Sequence, residues 1–249
     1  MDSFISWIGG KKLLRKELLS HMPTSNIGRY IEVFGGAAWL LFAKDKHAAL
    51  EVYNDFDSEL VNLFRCVKYH LAELERCILP LNSRELFEDI KARSAVRGRT
   101  DIQRAADFFM LIRISFGSDR GSFGCAKKGL LRSIERIEEI HNRLISVVIE
   151  HKSYENLIKV YDRPDALFYC DPPYVGTENY YPVGFTREDH AALNAILSTI
   201  KGRFMLSYND DAYVRNLYKN YNIYEVERSN NLSNKSENKR YKELIITNY

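Results

Sequence analysis

Apolar positions along the chain fall into two rhythms. Short runs of β-branched and aromatic residues alternate with stretches where apolar residues recur every three or four positions. Residues 11–21 put Leu13, Leu14 and Leu18 on one face and are followed by Pro23, which predicts a helix. Residues 29–34 (RYIEVF) read as a strand running into Gly35-Gly36, with a helix expected over 37–44. A second strand is expected over 49–54. Asp57 then caps a long helix carrying Leu60, Val61, Phe64, Val67, Leu71 and Leu74. Strands follow at 146–150 and 166–170, a helix at 187–200, and strands at 204–208, 223–226 and 244–247. The last two strands lack a helix between them, so they are expected to pair antiparallel through the polar stretch 229–240. The alternation as a whole predicts a doubly wound, mostly parallel α/β sheet.

The middle of the chain breaks this rhythm. Strand signals are weak from 84 to 132, and eleven Lys and Arg stand against six acids there, a local charge of +5. A helical insert is expected, with one Gly/Ser-rich loop at 117–124. The 249 residues together carry only +3, which excludes a tail-driven polycation but not a groove with local positive charge. No window approaches the run of about 18 apolar residues that a membrane span needs. Residues 1–7 lack the features of a signal peptide. Cys66, Cys77, Cys125 and Cys170 are widely separated, as expected of reduced thiols in a cytoplasmic protein. The six histidines show no ligand spacing, so no metal is expected.

Three sequence features carry chemistry. Phe34-Gly35-Gly36-Ala37-Ala38 ends a strand, where small residues let a ligand approach the backbone and a following helix would offer free N–H groups. It is neither G-x-G-x-x-G nor a P-loop, and a plain tight turn would look the same. Asp55 follows the next strand, where Rossmann-type sheets place an acid that accepts ribose hydroxyls; Asp57 is better used as a helix cap. Asp171-Pro172-Pro173-Tyr174 follows the apolar strand ALFYC, at the end of the strand where open sheets bind ligands. An exocyclic amine on an aromatic base is a poor nucleophile, because its lone pair is delocalised into the ring. A carboxylate and a rigid proline carbonyl that hold both amine hydrogens would free that lone pair, and an aromatic side chain can stack on an extruded base.

With these residues in order, the sequence resembles the Dam-like DNA adenine-N6 methyltransferases of the α group. The resemblance spans nearly the whole chain. It begins at Trp7-Ile8-Gly9-Gly10-Lys11 and continues through Glu32-Val33-Phe34-Gly35-Gly36-Ala37 and Asn54-Asp55-Phe56-Asp57. It closes with Asp171-Pro172-Pro173-Tyr174 and Leu206-Ser207-Tyr208-Asn209. It implies a Rossmann-like class I methyltransferase sheet of about seven strands, with a catalytic domain over 1–68 and 137–249 and a helical target-recognition insert over 69–136. It also implies S-adenosylmethionine as cofactor, S-adenosylhomocysteine as product and double-stranded DNA as partner. Trp7, Gly9, Gly10 and Lys11 would hold the cofactor's methionine end, with Lys11 on its carboxylate. Phe34, Gly35, Gly36 and Ala37 would line the cofactor pocket, and Asp55 would take the ribose. Asp171, Pro172, Pro173 and Tyr174 would hold the flipped adenine, Asp171 next to the cofactor as well.

Ala38 stands where the family usually has a further glycine, and alanine fits if φ stays negative there. The segment 109–117 matches the family's recognition region only loosely, so no target sequence carries over. Arg113, Arg120, Lys127 and Lys128 are the DNA-binding candidates. RNA adenine-N6 methylation remains open, as does a silent nucleic-acid-binding protein on the same scaffold. So do the oligomeric state, monomer included, and a role in restriction-modification.

Overall fold

The computed structural model describes residues 1–94, 96–125, 129–178, 184–229 and 240–249. Seven strands form one sheet: β1 (Arg29–Glu32), β2 (Leu50–Asn54), β3 (Val147–Glu150), β4 (Ala166–Cys170), β5 (Arg203–Asn209), β6 (Asn222–Ser229) and β7 (Arg240–Thr247). Their order is β3-β2-β1-β4-β5-β7-β6, parallel except where β7 enters antiparallel between β5 and β6. β1, β2, β4 and β5 are buried on both faces, as a covered parallel sheet requires, whereas the edge strand β3 exposes Val148. Because β2 and β4 flank β1, the chain leaves β1 toward one side of the sheet and later returns on the other. The crevice at this reversal opens at the carboxyl ends of β1, β2 and β4.

One face of the sheet is covered by α1 (Arg15–His21), α2 (Ser58–Tyr69), α3 (Leu71–Cys77), α4 (Arg84–Ser94), α5 (Asp101–Ile114) and α6 (Leu130–Leu144). The other face is covered by α7 (Tyr154–Tyr161), α8 (Arg187–Leu197) and α9 (Ala212–Leu217). The helices between β2 and β3 share the sheet's own core. Phe109 of α5 stacks on Phe4 at 6.1 Å, and Phe64 of α2 stacks on Tyr53 of β2 at 4.1 Å. The basic character of this segment is partly spent internally: Arg93 and Arg99 both pair with Asp107, and Arg104 pairs with Glu59. Among the described residues no helix is long and apolar enough to cross a membrane.

Several expected elements differ. The helix expected from 11 starts only at Arg15. The helix expected over 37–44 is a pair of turns and one 3-10 turn, Leu41–Ala43. Ala38 takes φ +55°, a left-handed conformation that diverts the chain from a helical path, so the condition of negative φ fails. The long helix expected from Asp57 breaks at His70 (φ −136°, ψ 41°) into α2 and α3. Its cap holds: Asp57 Oδ1 accepts the N–H of Glu59 at 3.0 Å and of Leu60 at 3.2 Å. The helices α6, α7 and α9 carried no expectation of their own.

A buried ion pair ties the helical layer to the sheet. Arg143 at the end of α6 grips Glu51 of β2 with two bonds, 2.7 and 2.8 Å, and also donates to the carbonyls of Lys44 and Leu41. Arg143→Ala leaves Glu51 charged in the core without a counter-ion, held only by the His47 N–H among the described residues. It is expected to destabilise the fold by about 3–5 kcal/mol, read by urea unfolding, while Arg143→Met costs less only when Glu51 is replaced with it. Ala38→Gly is expected to leave the melting temperature unchanged or raise it, because relief of about 1 kcal/mol of left-handed strain offsets the lost methyl. Ala37→Gly, buried beside it without positive φ, is expected to lower the melting temperature.

Candidate active site

The carboxyl ends of β1, β2, β3 and β4 surround a cleft of about 250 Å³. The N-terminal segment forms its roof. Trp7, Gly9, Gly10, Lys11, Phe34, Gly35, Gly36, Ala37, Asp55, Asp171 and Pro173 all line this one cavity, although they come from opposite ends of the chain.

The turn after β1 is shaped by a close approach. Gly35 N–H donates to the carbonyl of Asn54 at 2.7 Å, and a Cβ on Gly35 would lie 2.3 Å from the Tyr53 ring. Only glycine fits there. Gly36 follows at φ +50°, and its N–H donates to Asp55 Oδ2 at 2.8 Å. Asp57 N–H donates to Asp55 Oδ1, also at 2.8 Å. Burial outweighs these bonds and pushes the Asp55 carboxyl up to about 6. Asn54 stitches the loops together by donating to the carbonyls of Val33 and Lys152 and accepting from Lys152 N–H.

At the other end of the cleft, Lys11 Nζ lies 2.8 Å from Asp171 Oδ1 and donates to the Gly9 carbonyl at 2.8 Å. Ser207 Oγ donates to the same Asp171 oxygen at 2.8 Å, with Tyr169 OH 3.1 Å behind it. Burial dominates over Lys11, so the Asp171 carboxyl sits above its usual range. Tyr174 is fixed at its tip, where its OH donates to Glu243 Oε2 of β7 at 2.6 Å. Its ring lies 5.9 Å from Tyr208 and 4.6 Å from Lys11 Nζ. Below the floor, Glu32 accepts from Tyr30 OH at 2.8 Å, and burial raises its carboxyl to about 8.

Of the DNA-binding candidates, Arg113 and Arg120 are among the described residues. Arg120, itself at φ +60°, turns inward to pair with Asp57 at 3.3 Å and lies over the rings of Trp7 and Phe108. Arg113 is buried on α5 and donates to Ser6 Oγ at 3.3 Å. Lys127 and Lys128 lie outside the described residues, as does most of the polar stretch 229–240.

Sequence reasoning gave no role to Ser207, Glu243, Tyr169, Tyr154 or Phe185. Ser207 and Glu243 reach the site from β5 and β7, visible only once the strand order is known, whereas Tyr169 lies on β4 two residues before Asp171. Tyr154 and Phe185 line the cleft beside Phe34, which lies 5.8 and 5.9 Å from their rings. The end of β3 at Glu150 was the available signal for Tyr154, because every parallel strand's carboxyl end feeds this crevice.

Sequence comparison with known proteins places the chain in a family. The family model for D12 class N6 adenine-specific DNA methyltransferases matches residues 7–232. The chain is 30% identical to the Type II methyltransferase M1.LlaDCHI of Lactococcus lactis subsp. cremoris, over 99% of this chain and 95% of that protein. It is 25% identical to the Retron Ec67 DNA adenine methylase of Escherichia coli, covering 98% and 90% of the two. It is also 25% identical to the DNA adenine methylase of Vibrio cholerae, covering 93% and 90%. With its family model reaching from the Trp7 roof to past β6, the chain belongs to the D12 class of N6 adenine-specific DNA methyltransferases.

Proposed function

We propose that the chain transfers the methyl group of S-adenosylmethionine to the N6 amine of an adenine flipped out of double-stranded DNA, with S-adenosylhomocysteine as the second product. The observation that carries this reading is the state of Asp171. Among the described residues Lys11 and Ser207 both meet Oδ1 of Asp171, which itself lines the cleft, so Oδ2 is the oxygen assigned to an incoming amine.

The lining fits this cofactor. Each Asp55 oxygen already accepts one backbone N–H and keeps a lone pair for a ribose hydroxyl. A Cβ on Gly36 would come within 3.0 Å of Trp7, so the glycine keeps that gap open. Lys11 has three N–H donors; Asp171 and Gly9 take two, and the third is left for the methionine carboxylate. Trp7, Gly9 and Gly10 form the roof over that end, and Phe34 to Ala37 form the wall.

S-adenosylmethionine supplies an electrophilic methyl whose sulfonium leaves as a neutral thioether. The chain's own residues prepare the amine. Asp171 Oδ2 and the Pro172 carbonyl accept the two N6 hydrogens and localise the nitrogen lone pair for in-line attack. Pro172 and Pro173 fix φ, so the carbonyl does not swing away. Tyr174, clamped by Glu243, offers a ring face to the base. The proton shed by N6 as the N–C bond forms passes to Asp171, whose raised affinity for protons suits it as a temporary acceptor. Residues 69–136 serve as the target-recognition insert. Support comes from the loop bearing Arg120, which reaches Asp57 at the cofactor rim and so sets the insert beside the cleft.

Expression in a host without DNA methylation, followed by modification-sensitive sequencing, is expected to find N6-methyladenine at one recurrent site; an unmodified genome would overturn the reading. Asp171→Ala is expected to lower methylation by at least about a thousandfold, with cofactor affinity measured by calorimetry changed only several-fold. Asp171→Asn, which spares Lys11 an empty partner, guards against a folding artefact. Cofactor binding requires the Asp55 carboxylate, so affinity is expected to fall as pH drops through about 6. The loss approaches about tenfold per pH unit below that point and is absent in Asp55→Asn, which binds weakly throughout.

A further inference from the structure

A second cavity, about 440 Å³, lies beside the cleft and shares Trp39 with it as a wall. Four cations line it: Lys12 from the N-terminal segment, Arg113 from α5, and Arg132 and Arg136 from α6. Asp2 is the only carboxylate lining it among the described residues, and it is held by Lys12 at 3.0 Å and Arg15 at 3.1 Å. Arg113 is 8% exposed, and desolvation together with the nearby Arg136 weakens its hold on its proton. Three guanidinium groups around one cavity repel one another, and burial of one of them deepens the cost. The same cavity includes Gly129, the cap of α6, which has no side chain, and the first turn of α6 contains no acid. The free N–H groups of that turn add to the positive potential. Such a lining is completed by an oxyanion with several acceptors.

We propose that this cavity seats one backbone phosphate of the DNA strand that delivers the target adenine, gripped by Arg132 and Arg136. The inference rests on the DNA-methylating reading above and assigns to it a contact that the motifs do not reach. Arg132 and Arg136 stand four residues apart on one face of α6, so their two planar forks converge on a single phosphate group. Trp39 joins this seat to the cleft that holds Asp171, so a strand anchored here is held beside the target pocket. A phosphate contact fixes position and carries no sequence information, which suits a seat whose charged lining is four cations to one carboxylate.

The test is fluorescence anisotropy of the full chain on a short labelled duplex between about 50 and 200 mM sodium chloride. Arg132→Ala with Arg136→Ala is expected to weaken binding about tenfold and to reduce the log–log salt slope by about 1. Cofactor affinity is expected to stay unchanged. The control pair Lys159→Ala and Lys219→Ala removes equal charge from exposed positions on or beside the helices of the opposite face. Its slope is expected to match the parent's. Exchanging chloride for inorganic phosphate at equal ionic strength is expected to weaken duplex binding by the parent and not by the Arg132/Arg136 variant. An unchanged slope in that variant, or an equal fall in the control, would overturn the proposal. So would inorganic phosphate that binds through Arg132 and Arg136 without competing with DNA, because the cavity would then be a free-phosphate site. A parent enzyme that methylates DNA while its slope ignores Arg132 and Arg136 refutes only the seat. A parent that binds cofactor and leaves DNA unmodified refutes the functional reading itself.

Discussion

The candidate site depends on one contact between two ends of the chain, the Lys11–Asp171 pair. Residues 1–14 form no helix or strand, so side chains rather than a hydrogen-bonded ladder must hold them. Lys11 is 5% exposed and spends its ammonium on Asp171 and the Gly9 carbonyl. An ammonium at that depth is tolerated only with its carboxylate in place, and the carboxylate gains its position from the same bond. The roof over the cleft and the acid at its base are therefore fixed together. Glycines at 9 and 10 suit the tight path that brings Lys11 down, and a Cβ on Gly10 would come within 2.8 Å of Trp39.

Much of this arrangement was legible in the residues. Buried parallel strands announce themselves as apolar runs, and the residues at their carboxyl ends, Phe34 to Gly36, Asp55 and Asp171, gather at one crevice by topology alone. What was illegible depends on non-local contacts or on backbone angles. Ala37 to Lys44 has good helix formers, yet Ala38 is left-handed because the turn after Gly36 must pass beneath Trp7 and Tyr53. Apolar spacing runs unbroken from Leu60 to Leu74, but the backbone turns at His70 so that α3 can also pack on α5. Ser207 and Glu243 look like ordinary strand residues. Their importance comes from β5 and β7 lying next in the sheet.

Charge shows the same distinction between sequence and space. Summed along the chain, 84–132 is a basic segment. In three dimensions Arg93 and Arg99 belong to Asp107, Arg104 to Glu59 and Arg120 to Asp57. Four other cations, Lys12, Arg113, Arg132 and Arg136, line one cavity at the junction of α5, α6 and the N-terminal segment, and Arg136 lies outside the stretch that the sequence count marked. A net charge measures what a segment contains; ion pairing determines what it can offer to a polyanion.

The bond from Tyr174 to Glu243 spans 69 residues and uses the last strand of the sheet to steady the first aromatic residue after Asp171-Pro172-Pro173. During synthesis the N-terminal roof, the glycine turn and Asp171 all leave the ribosome before β7 exists. Most of the residues that line the cleft are therefore made while Tyr174 still lacks its anchor. The order of translation fixes the Tyr174 ring only after the residues it stands beside, Lys11 and Asp171, have long been made.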